Sequence, residues 1–374
     1  MIPCIDRHVL SEWIRVFALT LVVIMSLLLI ADLQNDLSDL FEFGATTGEI
    51  VRYYATLVPS FLPAVIPVSL LVSLLFALGQ LHRNFEIVAM RSAGLSVWRI
   101  TRVLWFSGAV LSALLLWLNA VVVPWSVETS RTQWNNIYFR GELAADRSEE
   151  EVGLIHNLTF HHPDTGRLWF INRFNEYNYR AYGVTVSQFG AGRREVRRLL
   201  ANQGYYDELA GNWTLLDGRQ LLFEEATGNI VRSLPFERLT VDELTEDPTL
   251  MQFLKKRPQD LSFWQLNRVI EALAGRDDER AAPYQIRYYA ILVNPLSCLI
   301  VIGIAIPFAL AGVRTNPMVG VAKSVGLFLL YYLITNASSI LGGTVVGPAL
   351  AALLPNFCMI AVALYLAWKA MKPA

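Results

Sequence analysis

Two stretches of the sequence hold residue types that could carry chemistry, and both lack a complete motif. His161 and His162, in HHPDTG, are potential zinc ligands, but no Cys or carboxylate at ligand spacing completes a site. A polar turn between strands is the better interpretation of HHPDTG. VGVAKS, residues 319–324, is superficially like a phosphate-binding loop, but Ala322 precedes Lys323 and no strand leads into it. The sequence therefore predicts no catalytic residue, no metal site and no cofactor in this chain.

Composition indicates that apolar helices must position any functional residue. Hydrophobic residues make up 54% of the chain and the mean hydropathy is +0.40, which is unusual for a water-soluble protein. The formal net charge of −1 gives no bias toward nucleic acid or acidic partners. We therefore expect an α-helical membrane protein.

Six apolar stretches are long enough for a helix to cross a hydrocarbon core of roughly 30 Å. They form two groups of three, at residues 16–31, 50–81, 100–123, 284–310, 325–341 and 349–368. The first stretch is predicted to be a retained span rather than a cleaved signal peptide. Its apolar core is long, and DLQND follows where a small-residue cleavage site is expected.

Basic residues predict the orientation of the spans. They cluster before the first span, around the segment after the second span, between the fourth and fifth spans, and at the C-terminus. These residues are Arg7, Arg15, Arg83, Arg91, Arg99, Arg102, Arg314, Lys323, Lys369 and Lys372. Because cytoplasmic loops carry an excess of Lys and Arg, both termini are predicted to be cytoplasmic.

The polar region between the two groups of spans is predicted to fold outside the cytoplasm as a β domain. GLIHNLTF, RLWFINRF, AYGVTVSQF and NWTLLDGRQLLFEE are rich in β-branched and aromatic residues and are separated by turn residues. This spacing is typical of an all-β sandwich, a jelly roll or a partial barrel. The region contains no cysteine, so no disulfide framework is expected there.

The predicted organisation has four parts. SFWQLNRVIEALAG has helical apolar spacing and is expected to join the β domain to the fourth span. The parts are residues 1–124 with spans one to three, residues 125–260 with the jelly-roll-like β domain, residues 261–282 with a connecting helix, and residues 283–374 with spans four to six.

The second span contains three prolines at helical spacing. Pro59, Pro63 and Pro67 are four residues apart, so they lie along one helix face and remove successive backbone donors. We expect a bent or locally opened helix. The prolines could line a lateral cavity or serve packing alone.

HRNFEIVAMRSAGLS, residues 82–96, is a charged, helix-prone segment between two spans. Arg83 and Glu86 are one turn apart and share a face with Met90, while Ala93 and Gly94 allow close approach of a partner. Periodicity alone favours an interfacial helix, with its charges in water, rather than a helix that docks on a partner.

The layout of three spans, a β domain and three spans, with NFEIVAMRSAGLSVWRI and GPALAALLPNF, resembles the LptF/LptG permease family of the lipopolysaccharide export ABC transporter. The resemblance covers essentially the whole chain. IDRHVLSEWI, REVRRLLANQGYYDELAGNWTLLDGRQ and the LPNF ending are more similar to LptG than to LptF.

The resemblance implies a non-catalytic permease subunit that extracts lipopolysaccharide from the bacterial inner membrane and passes it to a periplasmic β-jellyroll bridge toward the outer membrane. It implies three protein partners: an LptB-like ATPase dimer that uses ATP, a second LptF/LptG-like permease, and an LptC-like bridge protein. Residues 83–95 would be a cytoplasmic coupling helix docked on the ATPase, with Glu86 as its main charged contact. The residues that match this role are Arg83, Glu86, Met90, Arg91, Ala93 and Gly94.

The resemblance also implies a lipid cavity, for which we expect the first, second and fifth spans to form walls. The candidate lining residues are Asp32, Phe61, Leu62, Ile66, Phe328 and Tyr332. Asp32 and Asp36 stand where some relatives carry a basic residue, so headgroup contacts would come from elsewhere or through divalent cations.

A function of a different class fits the same layout. A membrane-anchored scaffold or sensor would use its β domain to bind an envelope component and its cytoplasmic segment to signal. A membrane enzyme is the weakest of the three alternatives, because no convergent nucleophile, dyad or metal set occurs in the spans.

Overall fold

The fold was analysed in a computed structural model that describes residues 4–144, 154–162, 165–175, 178–190, 194–207, 210–224, 227–273, 281–309, 317–342 and 347–371. The chain divides into two compact units. One is helical and comprises Met1–Phe41, Thr46–Trp134 and Ser262–Ala374. The other comprises Glu42–Ala45 and Asn135–Leu261.

Helices account for most of the described chain on both sides of the sheet region in the sequence. Before the sheet they are α1 (Cys4–Glu42), α2 (Thr47–Arg83), α3 (Glu86–Ser92), α4 (Val97–Trp117) and α5 (Val123–Ala144). After the sheet they are α6 (Pro248–Lys255), α7 (Phe263–Ala272), α8 (Ala282–Val293), α9 (Ser297–Ala309), α10 (Pro317–Leu341) and α11 (Pro348–Met371). Short 3-10 turns lie at Pro258–Asp260 and at Asn294–Leu296, where the latter joins α8 to α9.

Five helical stretches in the described part of the chain are long and apolar enough to cross a membrane. They are Ile5–Glu42, Thr47–Arg83, Val97–Gly141, Ala282–Ala309 and Pro348–Trp368. Helix α10 has 25 residues and includes the fifth predicted span. The predicted fold class, a helical membrane protein with an inserted all-β domain, is confirmed.

Helix α9 forms the centre of the helical unit. Its residues from Ser297 to Ile306 are almost all buried, and it packs against α2, α4, α10 and α11. Such close packing requires small residues: a Cβ on Gly303 would lie 2.6 Å from the Cβ of Ala363. A helix that is apolar on every side can be buried in this way by its neighbours.

Helix α2 remains continuous through Pro59, Pro63 and Pro67, so the expected local opening is not seen there. Ser126 Oγ donates to the Thr56 carbonyl, and neighbouring side chains of this kind can satisfy groups near a proline. The third span opens instead, through a π turn at Leu118–Val122. Pro124 lies two residues after this turn and has no N–H to donate, which favours such a turn.

The second unit contains one antiparallel sheet with strands in sequence order. The strands are β1 (Leu154–His162), β2 (Arg167–Asn175), β3 (Arg180–Phe189), β4 (Glu195–Asp207), β5 (Asn212–Phe223) and β6 (Ile230–Val241). Their alternating pattern places one set of apolar side chains on a common face. Trp169 and Trp213 are fully buried there, with ring centroids 5.0 Å apart.

Two helices also occur within residues 125–260, where the sequence suggested only β structure. The third span continues past Val123 as α5 as far as Ala144, and Tyr138 on it meets Phe43 with ring centroids 4.9 Å apart. Helix α6 covers the apolar face of the sheet with Met251. The apolar faces of these helices are buried by residues distant in sequence, which a local strand pattern does not reveal.

Candidate functional site

The segment between the second and third spans is a short helix with fixed ends. Asn84 caps α2, and Phe85 takes a left-handed conformation, with φ of 61°, before α3 begins at Glu86. After α3, Gly94 has a φ of 85°. The Gly94 and Leu95 amides donate to the carbonyls of Arg91 and Met90 respectively, which closes the helix in a Schellman motif.

One face of α3 is anchored in the helical unit. Ile87 is 1% exposed and Met90 packs against the same apolar cluster, which contains residues of α2, α4 and α9. Because the helix shares a core with these spans, a displacement of α3 must move or strain them. We call residues 83–95 the coupling segment.

Several side chains of the coupling segment are open to solvent. Arg83, Arg91 and Ala93 are exposed, and Phe85 is 63% exposed. Exposed aromatic and arginine side chains are residue types enriched at protein interfaces. Phe85 was not among the residues predicted from the sequence. Its position after two polar residues and directly before a helix was nevertheless a visible sign of exposure.

Glu86 contacts another part of the chain. Its Oε2 lies 2.8 Å from His8 Nε2 on α1, and its Oε1 accepts a hydrogen bond from Asn84 Nδ2 at 3.4 Å. A small cavity of about 130 Å³ adjoins this contact and is also lined by Glu12 and Gln80. Glu86 therefore links the coupling segment to the start of the first span.

A second polar contact fixes the start of α1 to the start of α4. Asp6 is buried, and both its oxygens accept from Arg99 Nη1, at 2.9 and 3.2 Å. Arg102 Nε donates to Asp6 Oδ2 at 3.2 Å. Ser96 caps the start of α4, and its hydroxyl accepts a hydrogen bond from the Arg99 amide. From the sequence, Arg99 and Arg102 indicated orientation only, and Asp6 and His8 carried no signal, because their partners are far away in sequence.

The structure brings together some of the predicted cavity residues. Ile66 is buried in the main apolar cluster, and Leu62 and Phe328 pack against that cluster. Phe61 is half-buried on α2, while Tyr332 on α10 is 62% exposed. Asp32 is half-buried near the far end of α1 and is not part of the apolar cluster.

The described residues form a multi-pass helical membrane protein with a polar segment between two spans and an inserted six-stranded sheet. The family model of the lipopolysaccharide export system permease LptF/LptG matches residues 7–369. The chain belongs to this LptF/LptG family. No curated protein matches the chain at a significant level.

Family membership establishes the general role of the chain. It is a non-catalytic, multi-pass inner-membrane permease of lipopolysaccharide export that works with partner Lpt proteins. The predicted family and transport role are confirmed at this level.

Proposed function

We propose that this chain is an LptG-like permease that extracts lipopolysaccharide from the inner membrane and passes it to a periplasmic β-jellyroll bridge. A separate LptB-like ATPase dimer binds and hydrolyses ATP, and this chain carries no cofactor. A second LptF/LptG-like permease completes the membrane part, and an LptC-like protein continues the bridge. This chain contributes movement and a lipid path without bond chemistry.

The exposed side chains of the coupling segment carry this proposal. Phe85, Arg83 and Arg91 are available to a partner, while Ile87 anchors the segment in the core shared with the spans. A partner that displaces this helix transmits force directly to α2 and α4. If the two spans did not follow, withdrawal of Ile87 would leave a cavity in the shared core.

The lipid path of the proposal follows the walls formed by α1, α2 and α10. Leu62, Ile66 and Phe328 share one apolar cluster, so small shifts of α2 against α10 would change the surface offered to acyl chains. Phe61 and Tyr332 extend this wall. Asp32 would meet lipid phosphates through divalent cations, because a carboxylate alone repels them.

In the proposed orientation, both termini and the coupling segment face the cytoplasm, and the β unit lies in the periplasm. The excess of Lys and Arg beside the coupling segment and at both chain ends supports this arrangement.

A charge reversal tests the coupling role. We expect Glu86→Lys to reduce lipopolysaccharide-stimulated ATPase activity at least about tenfold in the reconstituted complex, because reversing one charge of a docked pair creates repulsion. The measurement is phosphate release in proteoliposomes that contain the permease pair and the ATPase.

Two further variants separate docking from effects inside this chain. Glu128→Lys is the matched control, because Glu128 is exposed on α5, distant in sequence from the coupling segment, and we expect it to keep full activity. His8→Ala removes the contact of Glu86 with α1 and leaves the hydrogen bond from Asn84 in place. Full activity of Glu86→Lys would refute the coupling role, and an equal loss in His8→Ala would show that Glu86 acts through α1 instead.

A further inference from the structure

A long groove lies between the first halves of α1 and α4, apart from the candidate cavity residues. Its volume is about 770 Å³, within the range of small-molecule sites. Five residues of α1 line it at helical spacing, together with six of α4. They are Asp6, Leu10, Trp13, Ile14, Phe17, Arg102, Val103, Phe106, Ser107, Val110 and Leu111.

The floor and the rim of this groove differ in exposure. Trp13 is 4% exposed and its Nε1 donates to Ser73 Oγ at 3.1 Å, so the floor is fixed to α2. Phe106 is 70% exposed, and Val110 and Ile14 are also exposed along the rim. Contact between water and these apolar walls is unfavourable, so the open channel favours an apolar occupant.

One end of the groove carries an excess positive charge. Asp6 is the only carboxylate among the lining residues, and it is shared by the guanidinium groups of Arg99 and Arg102. Two positive groups and one negative group leave one positive charge. The Arg102 side chain is 42% exposed, and its Nη1 is not used by Asp6, so this arginine can donate to a further anion.

The length of the groove matches one leaflet of a bilayer. The eleven residue steps from Asp6 to Phe17 rise about 16 Å along α1, and half of a hydrocarbon core is about 15 Å. A single charged end followed by an apolar channel of one leaflet depth has the chemistry of an anionic phospholipid.

We propose that the groove binds an anionic glycerophospholipid from the leaflet on the side of the coupling segment. Its phosphate contacts Arg102 and Arg99, and an acyl chain lies along Trp13, Phe17 and Val110. This lipid is distinct from the exported lipopolysaccharide. It would fill the space between the start of the first span and the third span, beside the Asp6 ion pairs.

The test uses the full chain, purified in mild detergent and offered phosphatidylglycerol or phosphatidylcholine with identical acyl chains. Native mass spectrometry counts the bound lipids. We expect wild-type protein to retain phosphatidylglycerol about tenfold more strongly than phosphatidylcholine, because a guanidinium–phosphate contact is charge-assisted. Excess inorganic phosphate should not displace the lipid, because the acyl chain supplies part of the binding. Displacement by phosphate would identify an anion site and refute the lipid proposal.

Two variants address the headgroup and the acyl chain separately. Arg102→Gln should remove most of the headgroup preference, whereas Val110→Trp should fill the channel and reduce retention of both lipids. The matched controls are Arg15→Gln and Val22→Trp, at exposed positions of α1 outside the groove, which should bind as wild type does. Val110→Trp leaves the ion pairs intact, so the proposal stays testable if Arg102→Gln fails to fold.

Besides displacement by phosphate, two outcomes would overturn the proposal. One is equal retention of the two lipids by wild-type protein. The other is unchanged lipid binding in Val110→Trp together with loss of a copurifying helix-containing partner, which would identify the groove as a protein interface.

Discussion

At the residue scale, charged side chains near the coupling segment contact partners that are far away in the sequence. Glu86 meets His8, and Asp6 meets Arg99 and Arg102. Under the proposed function, the ATPase must compete with His8 for Glu86. The start of the first span therefore senses the state of the coupling segment.

A buried hydrogen bond between α10 and α11 gives a prediction at the same scale. Tyr331 Oη donates to Asn356 Oδ1 at 2.7 Å, and both residues are buried. We expect Tyr331→Phe to lower the free energy of unfolding by about 1–2 kcal/mol, because the amide oxygen is left without this donor. Unfolding of the purified chain in detergent measures the effect.

The control for this prediction removes a hydroxyl from an exposed ring. Tyr365→Phe on α11 changes a side chain that is 59% exposed, so its stability should stay within experimental error of wild type. Equal losses in both variants would show that the Tyr331 bond contributes nothing specific.

At the element scale, α3 is too short to be stable alone, and it depends on its ends and its anchor. A helix of seven residues gains little from propensity, so the Schellman motif at Gly94 and burial of Ile87 must hold it. The same two features give the coupling segment the stiffness that force transmission requires.

Gly94 provides the test of this dependence. Gly94→Ala should destabilise the end of α3 by about 1 kcal/mol, because a side chain disfavours the left-handed conformation at a φ of 85°. We expect weaker ATPase stimulation in the reconstituted complex and increased amide exchange over residues 86–95.

Gly79→Ala is the matched control for the same change. Gly79 lies inside α2 with helical geometry, and nothing occupies the space that a Cβ would take. Alanine there should be neutral or slightly stabilising. If both alanine variants lost ATPase stimulation equally, the geometry at Gly94 would not be the cause.

At the scale of the whole molecule, the fold separates a helical unit from a unit with a six-stranded sheet. The sheet leaves two edge strands, β1 and β6, and most of β6 is exposed. Such edges can accept a further strand, which is compatible with a bridge of successive β domains.

The proposed orientation predicts which side each unit faces. In a cysteine-free background, Ser233→Cys on β6 should react with a membrane-impermeant maleimide added to intact spheroplasts. Ser92→Cys at the end of α3 should react only after the membrane is permeabilised. Both serines are exposed, so accessibility across the membrane decides the labelling. The reverse pattern would invert the topology.

The membrane-protein class, the apolar spans and the inserted β region could all be predicted from the amino-acid sequence. These features depend on local composition: a span needs about 20 apolar residues, and a strand needs alternation, so each can be seen in one continuous stretch. The motif around Glu86 and Gly94 was visible for the same reason.

The partners of the charged residues, and the continuation of the third predicted span as α5, are seen in the folded chain and could not be predicted from the sequence. His8 and Glu86 are 78 positions apart, and Asp6 and Arg102 are 96 apart. No local pattern encodes these pairings, because they depend on how α1 packs beside α2 and α4. The groove between α1 and α4 has the same origin: its walls are ordinary apolar helix faces, and their juxtaposition with two arginines exists only in the folded chain.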